Sequence, residues 1–205
     1  MEPQSAHWPS DSGSVAPRHC AGRAIPRRFE DVSVAQLDET MRINFFGTWN
    51  TIAALLPAMR ERGGHIVNVS SIVGFLGIFG YTDYAASKFA VIGFSEALRS
   101  ELKPYGIAVS VLCPPDTDTP GLAAENRTKP EETAAISAGA KLMQPDDVAR
   151  ALLRGMERGK FLIVPGFEGK LARVVHCLAP WLVTRIVDRT VRKVQRKRAA
   201  TGRRT

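Results

Sequence analysis

Short apolar runs alternate with longer amphipathic stretches along the middle of this chain, and this order constrains the fold more than any other feature. The runs are rich in β-branched residues, as buried strands are, and comprise HIVNVS (65–70), IAVSVLCP (107–114) and FLIVP (161–165). Apolar residues at helical spacing predict helices over 34–64, 81–102 and 147–159. Strands that alternate with helices predict an α/β fold built on a parallel sheet.

Composition divides the chain into three parts. Residues 1–18 are rich in Ser and Pro without apolar periodicity, which is typical of a disordered segment. Residues 19–168 hold the strands and helices, and residues 169–205 are expected to form amphipathic helices that run into a basic tail. The polar, proline-rich stretch 114–143 predicts an irregular, lid-like loop.

The positive charge of the chain is concentrated at its end. Residues 185–205 hold nine Lys and Arg and one acid, Asp188, whereas the remainder carries 19 basic and 19 acidic side chains. A basic tail can attract acidic lipid headgroups or nucleic acid, or can aid solubility. Because no aromatic residues interleave the charges and no base-reading motif is present, we expect no nucleic-acid partner and favour a membrane surface or solubility.

Neither a leader nor a membrane span is predicted. The longest uncharged run near the end, 174–184, has eleven residues with an internal Pro180, whereas a bilayer span needs about 20. A helix lying in the membrane interface stays open. Three cysteines far apart along the chain predict neither a disulfide framework nor a metal site. We therefore expect a cytoplasmic protein, or one held peripherally on a membrane surface.

Polar side chains follow two of the predicted strands, where ligands bind in parallel α/β sheets. Ser70 and Ser71 end the first strand, and the turn 113–115 ends the second. Tyr84 and Lys88, in the helix between them, are four residues apart and share one helix face. Such a pair by itself is more often a solvated surface pair than a catalytic one.

Four residues at fixed spacing carry a family resemblance. Ser71 follows Asn44 by 27 residues, Tyr84 follows Ser71 by 13, and Lys88 follows Tyr84 by four. The pattern resembles the Asn-Ser-Tyr-Lys tetrad of the short-chain dehydrogenases and reductases, and HCAG (19–22) resembles a variant of the family's Asn-Asn-Ala-Gly segment. The resemblance implies the C-terminal two-thirds of a Rossmann-like, doubly wound parallel sheet, with its first three strands absent.

The resemblance also implies a role for each residue in the reduction of a ketone. Tyr84 would donate the proton, and Lys88 would lower the pKa of that phenol from its ordinary value near 10. Ser71 would orient the carbonyl oxygen, while Asn44 would kink its helix and hold a water behind Lys88. The implied cofactor is NADPH, with contacts from Cys20, Ala21, Gly22, Tyr84, Lys88, Pro114, Pro115, Thr117 and Thr119.

The segment after the second predicted strand makes the resemblance more specific, because it matches one branch of the family. CPPDTDTPGLAAENRTKPEET (113–133) resembles the branch of the family that reduces 3-ketodihydrosphingosine, in which Pro-Pro replaces the usual Pro-Gly. This branch implies a long-chain sphingoid ketone as the small-molecule substrate. Members of the family also associate as homodimers through two long helices, which here would include the helix of Tyr84.

A glycine-rich turn that normally opens this fold is missing from the sequence. Gly-x-x-x-Gly-x-Gly between a strand and a helix holds the cofactor pyrophosphate, and SDSGSVAPRH (10–19) supplies neither that turn nor a strand leading into CAG (20–22). Three interpretations stay open: a piece of an active reductase for this or another keto substrate, an inactive interaction module, or a chain whose partner supplies the missing half.

Overall fold

Four parallel strands form one sheet in the computed structural model, which describes the backbone of Arg18–His19 and residues 22–202. The strands are β1 (Arg18–His19), β2 (Gly64–Val69), β3 (Ile107–Leu112) and β4 (Leu162–Ile163). They are hydrogen-bonded in chain order, so that β1 and β4 form the two edges. The predicted parallel α/β fold is confirmed. Disorder was predicted for residues 1–18, of which Arg18 lies in β1 and the others lie outside the described residues.

Strand β1 corrects the prediction that no strand leads into Cys20. Arg18 pairs with Val67 and His19 pairs with Asn68 in parallel register. Strand pairing uses backbone N–H and C=O groups, which polar residues carry as well as apolar ones. Two residues are also too few to show any periodicity, so the sequence pattern could not reveal this strand.

The helix predicted over 34–64 forms as one helical stretch whose geometry changes in the middle. Helix α1 (Val34–Met41) passes into a π-helical segment (Arg42–Phe46), and helix α2 (Gly47–Arg62) continues from it. Single π turns inside α-helices are frequent at functional sites. The next predicted helix is confirmed as α3 (Thr82–Leu102).

Residues 114–143 contain two short helices, so the irregular loop predicted there is wrong. These are α4 (Pro120–Asn126) and α5 (Glu131–Ser137). The Thr119 hydroxyl caps α4 by accepting a hydrogen bond from the backbone N–H of Leu122 at 3.2 Å. Proline misled the prediction because one proline opens α4 and another directly precedes α5, positions at which the residue does not interrupt a helix.

Three helices complete the described chain: α6 (Pro145–Glu157), α7 (Phe167–Leu178) and α8 (Pro180–Gly202). The predicted helix over 147–159 and the predicted C-terminal helices are thereby confirmed. Among residues 22–202, none of the helices is both long and apolar enough to cross a bilayer.

Helices cover both faces of the sheet, as a doubly wound fold requires. On one face α2 and α3 pack on β2 and β3 through Ile52, Met59, Ile66, Leu98, Leu102, Ile107 and Val109. On the other face α6 packs on the sheet through Val67, Leu112, Ile163, Val148, Leu152 and Met156. Both layers leave the carboxyl ends of β2 and β3 open toward α4, α5 and α7.

Candidate active site

A cavity of about 520 Å³ lies at the carboxyl ends of β2 and β3. Ser70 and Ser71 reach it directly after β2, and Pro114 and Pro115 line it beyond the end of β3. Tyr84 enters the cavity from the first turn of α3. The cavity therefore lies where the sequence predicts a ligand site, at the ends of two neighbouring parallel strands.

Three of the four tetrad residues, Ser71, Tyr84 and Lys88, line this cavity together. Lys88 is 3% exposed; its Nζ donates to the carbonyl oxygen of Val69 at 3.1 Å and lies 5.6 Å from the centre of the Tyr84 ring. The hydroxyl of Ser71 hydrogen-bonds the Tyr84 side chain and also accepts from the backbone N–H of Val73 at 3.2 Å. The structure thus brings together the predicted proton donor Tyr84, the predicted carbonyl-orienting Ser71 and Lys88, which was predicted to tune the phenol.

Asn44 lies in the π segment, buried behind the cavity wall. Its Oδ1 accepts from the backbone N–H of Arg23 at 2.8 Å, and its Nδ2 donates to the Arg23 carbonyl at 2.9 Å. The same Nδ2 also donates to Ser87 Oγ at 2.9 Å, and Ser87 Oγ in turn donates to the backbone carbonyl of Tyr84 at 2.7 Å. Asn44 therefore ties the segment after β1 to the turn of α3 that carries Tyr84.

The surroundings of Tyr84 raise the pKa of its phenol above the ordinary value, chiefly because burial disfavours the phenolate. The carboxylates of Glu125 and Asp116 raise the pKa further, whereas the hydrogen bond from Ser71 opposes the rise. The predicted net fall in this pKa is therefore wrong for the protein as described, because burial and the two carboxylates outweigh the nearby Lys88 cation. The phenol is therefore protonated at neutral pH, and donation of its proton requires stabilisation of the phenolate that forms.

Charged side chains from α4 and from the segments directly before and after it lie at one side of the cavity. Tyr81 donates a hydrogen bond from its hydroxyl to Glu125 Oε1. Lys129 Nζ lies 3.3 Å from Glu125 Oε1 and 3.5 Å from Asp116 Oδ2, and its side chain is 6% exposed. The charged residues of the cavity wall are Asp116, Glu125, Glu168, Arg23 and Lys88, and Lys129 pairs with both Asp116 and Glu125. The acids of the wall are therefore matched in number by nearby cations.

Those predicted cofactor contacts that lie among the described residues all line the same cavity. Gly22, Tyr84, Lys88, Pro114, Pro115, Thr117 and Thr119 all line it. Cys20 and Ala21 lie outside the described residues. A Cβ added to Gly22 would lie 3.5 Å from Lys88 Nζ and 3.8 Å from Asn44 Oδ1, so glycine leaves open the space in front of the ammonium.

Two sets of residues at this site were not predicted from the sequence. Ser87 stands inside the YAASK motif and received no role, because its bond to Asn44 joins residues 43 positions apart. Tyr81 and Glu125, which are 44 positions apart, meet only after α4 has folded over α3. For Ser87, Tyr81 and Glu125 the sequence offered only the motif in which each residue stands, because no spacing between the bonded partners predicts their contact.

Comparison with known proteins agrees with this geometry. The family model described as short chain dehydrogenase matches residues 18–130. The 3-ketodihydrosphingosine reductase of Dictyostelium discoideum is 46% identical over 160 residues, covering 77% of this chain and 48% of that protein. Its counterpart from Bos taurus is 42% identical over 172 residues, covering 83% of this chain and 51% of that protein. The chain spans about half the length of these relatives.

Solved structures show the same fold. A short chain dehydrogenase from Burkholderia cenocepacia, in complex with NADP, superposes with a TM-score of 0.72 at 22% identity, covering 84% of this chain and 68% of that one. A short-chain dehydrogenase from Streptomyces avermitilis gives a TM-score of 0.70 at 25% identity, covering 88% of this chain and 71% of that one. With the family model matching more than half of its residues, the chain belongs to the short-chain dehydrogenase family.

Proposed function

We propose that this chain carries the catalytic site of an NADPH-dependent reductase that converts the ketone of a 3-ketosphinganine-like lipid into an alcohol. The observation that carries the proposal is the convergence of Ser71, Tyr84 and Lys88 on one cavity, with Asn44 bonded behind them. The relatives at 46% and 42% identity, both named 3-ketodihydrosphingosine reductase, support the choice of substrate class.

Tyr84 acts as the proton donor in this proposal. Ketone reduction places negative charge on the carbonyl oxygen, and a positioned acid that protonates this oxygen accelerates the step. Tyr84 suits the task because its phenol lines the cavity, is protonated at neutral pH and has Ser71 and Lys88 beside it. Ser71 hydrogen-bonds the phenol and can donate to the same carbonyl oxygen, which fixes the distance between acid and acceptor.

Lys88 stabilises the phenolate that forms as Tyr84 gives up its proton. The phenolate formed at that moment is buried near two carboxylates, which destabilise it. A cation 5.6 Å from the ring centre offsets part of that cost, and Asn44 holds the surrounding backbone in place through Ser87. The proposal also includes the water predicted behind Lys88, from which the Tyr84 phenolate would regain its proton.

Residues of the cavity fit the nicotinamide half of NADPH. Lys88 can donate to the ribose hydroxyls, and the open space beside Gly22 admits the sugar. Thr117 and Thr119, on the opposite wall, offer hydroxyls to the carboxamide or the phosphates. NADPH, when bound, supplies the hydride that reduces the ketone carbon.

The remainder of the cavity suits an amphiphilic amino ketone. Its apolar wall is formed by Ile72, Val73, Leu76, Ile78, Leu122 and Ile136. A sphingoid ketone carries an ammonium on the carbon next to the ketone, and the Glu125 carboxylate lies on the cavity wall near Tyr84, where the ammonium would share it with Lys129. We assign the ammonium to Glu125, because opposite charges in a poorly solvated site attract strongly.

We also infer that two copies of the chain associate through α2 and α3. Phe46, the last residue of the π-helical segment, is 47% exposed, Trp49 of α2 is 49% and Phe89 of α3 is 45% exposed, so that large aromatic side chains face solvent along both helices and directly before α2. The ring of Trp49 stacks 5.0 Å from Phe94, which joins the two helices into one aromatic surface. Surfaces of this kind commonly mark protein interfaces.

A single assay tests the proposed function. The purified chain is incubated with NADPH and 3-ketosphinganine, and the alcohol product is quantified by mass spectrometry. We expect turnover that falls by about 10²–10⁴-fold in Tyr84→Phe, the usual contribution of a general acid. Tyr105→Phe is the matched control, because Tyr105 stacks on Arg60 away from the cavity. Full activity in Tyr84→Phe would contradict the assignment.

A further inference from the structure

A row of polar side chains joins α1 and the π-helical segment to α3. Three of them lie at spacings of four residues, and so on one helix face: Gln36, Thr40 and Asn44. This face meets Asp83 and Ser87 of α3, which are likewise four positions apart. The two bonded positions of α3 therefore stand on either side of Tyr84 in the chain.

Asp83 is the centre of the part of this row to which the article has assigned no role. Its Oδ2 accepts a hydrogen bond from Gln36 Nε2 at 3.0 Å and another from Thr40 Oγ1 at 2.9 Å. Gln36 Nε2 also donates to the backbone carbonyl of Ile25 at 3.1 Å. We call Gln36, Thr40 and Asp83 together the Asp83 cluster. The cluster ties the first turn of α3 to α1 and to the segment after β1.

The burial of Asp83 shows that this attachment has a cost in stability. Asp83 is 3% exposed and Thr40 is 0% exposed. The second carboxylate oxygen of Asp83, Oδ1, is buried without a hydrogen-bond partner among the described residues. A buried polar atom without a partner destabilises the folded state. A polar group kept in a core at such a cost can select one packing arrangement over apolar alternatives.

The segment after β1 connects the Asp83 cluster to the cavity. Ala24 and Tyr84 both line the cavity and pack against the same buried residues, Val73, Tyr81 and Ala85. The residues on either side of Ala24 accept hydrogen bonds through their backbone carbonyls, one from Asn44 and the other from Gln36. The same two side chains bond α3, so the row holds Ala24 and Tyr84 on facing sides of one wall.

We propose that Asp83 is a positioning residue, which fixes the first turn of α3 on α1 and thereby keeps the Tyr84 phenol beside Ser71 and Lys88. Tyr84 follows Asp83 directly, so a shift of this turn moves the phenol with it. Displacement of a reacting group by about 1 Å can cost about 10²-fold in rate. The effect on catalysis rests on the proposed reductase function, whereas the attachment of α3 by Asp83 does not.

Steady-state kinetics with NADPH and 3-ketosphinganine test the positioning role. In Asp83→Ala we expect kcat to fall about 10–10²-fold while KM stays within about twofold, because the substrate still binds but meets a displaced phenol. Asp83→Asn should keep kcat within about threefold of the unaltered chain, because its amide oxygen still accepts from Thr40 and Gln36. Equal losses in the two variants would assign the effect to the charge of Asp83 and overturn the proposal.

A double substitution tests whether Thr40 acts through Asp83. Thr40→Val removes the donor hydroxyl, and we expect a smaller fall in kcat than in Asp83→Ala, since Gln36 still bonds the carboxylate. Thr40→Val/Asp83→Ala should be no slower than Asp83→Ala alone, because the bond between these residues is already lost. Losses that multiply in the double variant would contradict a shared role.

Ser95→Ala is the matched control for a general loss of stability. Ser95 is also a buried polar residue of α3, and it accepts a hydrogen bond from Asn68 Nδ2 at 2.9 Å. Asn68 resembles Asp83 in having one buried oxygen without a partner among the described residues. We expect urea denaturation to show a loss of stability in both Ser95→Ala and Asp83→Ala, but kcat to fall only in Asp83→Ala. An equal fall in kcat would overturn the proposal.

Hydrogen exchange separates failure of this proposal from failure of the reductase assignment. The backbone amides of residues 85–88 are expected to exchange about tenfold faster in Asp83→Ala than in the unaltered chain or in Asp83→Asn. That pattern in a chain without reductase activity would support the attachment by Asp83 and contradict the reductase. Unchanged exchange in Asp83→Ala would overturn the positioning role, whatever the activity.

Discussion

Glu125 shows how a residue without a recognised catalytic role can decide what this site accepts. Its carboxylate accepts a hydrogen bond from Tyr81, lies 3.3 Å from Lys129, and raises the pKa of Tyr84. The sequence marks Glu125 only as part of a segment typical of one branch of the family. Tyr84, Lys88 and Ser71 were predictable because their residue types and spacing match the tetrad of the short-chain family, whereas the contacts of Glu125 arise from tertiary packing.

Replacement of Glu125 separates substrate recognition from catalysis. In Glu125→Gln we expect KM for 3-ketosphinganine to rise about tenfold, since a charge-assisted hydrogen bond to the ammonium is lost. KM for a long-chain ketone without the amine is expected to change little. Glu131→Gln is the control, because Glu131 is an exposed acid of α5. Equal losses for both ketones would assign Glu125 a structural role instead.

At the scale of elements, predictions succeeded where side-chain patterning determines structure and failed where capping or backbone pairing does. Helices α3 and α6 and strands β2 and β3 follow from apolar periodicity. Helices α4 and α5 begin at local caps within a polar, proline-rich stretch, and β1 has two residues that pair through the backbone. None of these three elements has enough apolar residues to reveal a period.

The contact between α6 and β4 provides a test of the packing. A Cβ added to Gly155 would lie 2.5 Å from Ile163 Cδ1, closer than side chains pack. We expect Gly155→Ala to lower the free energy of unfolding by about 1–3 kcal/mol through overpacking. In the control Gly121→Ala the new atom lies 3.7 Å from Thr119 Oγ1, and stability should stay the same or rise by up to ~1 kcal/mol. Urea denaturation measures the free energy of unfolding of both variants. Equal stabilities of Gly155→Ala and Gly121→Ala would contradict the close approach of Gly155 to Ile163.

For the whole molecule, the described sheet has four parallel strands with helices on both faces, and its edge strand β1 lies next to the candidate site. The fold class and the position of the site followed from the order of strands and helices, because ligands gather at the carboxyl ends of parallel strands. The sign of the pKa shift at Tyr84 did not follow, since it depends on burial and on carboxylates contributed by α4 and the segment before it.

Self-association through α2 and α3 is expected to depend on their exposed aromatic residues. In Phe46→Ser/Trp49→Ser we expect a dimer measured by analytical ultracentrifugation to dissociate, because the substitutions remove the apolar centre of the proposed interface. Leu178→Gln, on α7, serves as the control and should leave the mass unchanged. A monomeric unaltered chain, or a dimer that survives the double substitution, would contradict this interface.

Transfer of deuterium gives the most direct test of a reductase site at Tyr84. NADPH labelled at the transferable hydrogen is supplied with 3-ketosphinganine, and the product is analysed by mass spectrometry. We expect one deuterium on the carbon that bears the new hydroxyl, with labelled product reduced about 10²–10⁴-fold in Tyr84→Phe. Labelled product that forms equally well without the Tyr84 hydroxyl, or no labelled product from the unaltered chain, would contradict the assignment of this cavity as the site of reduction.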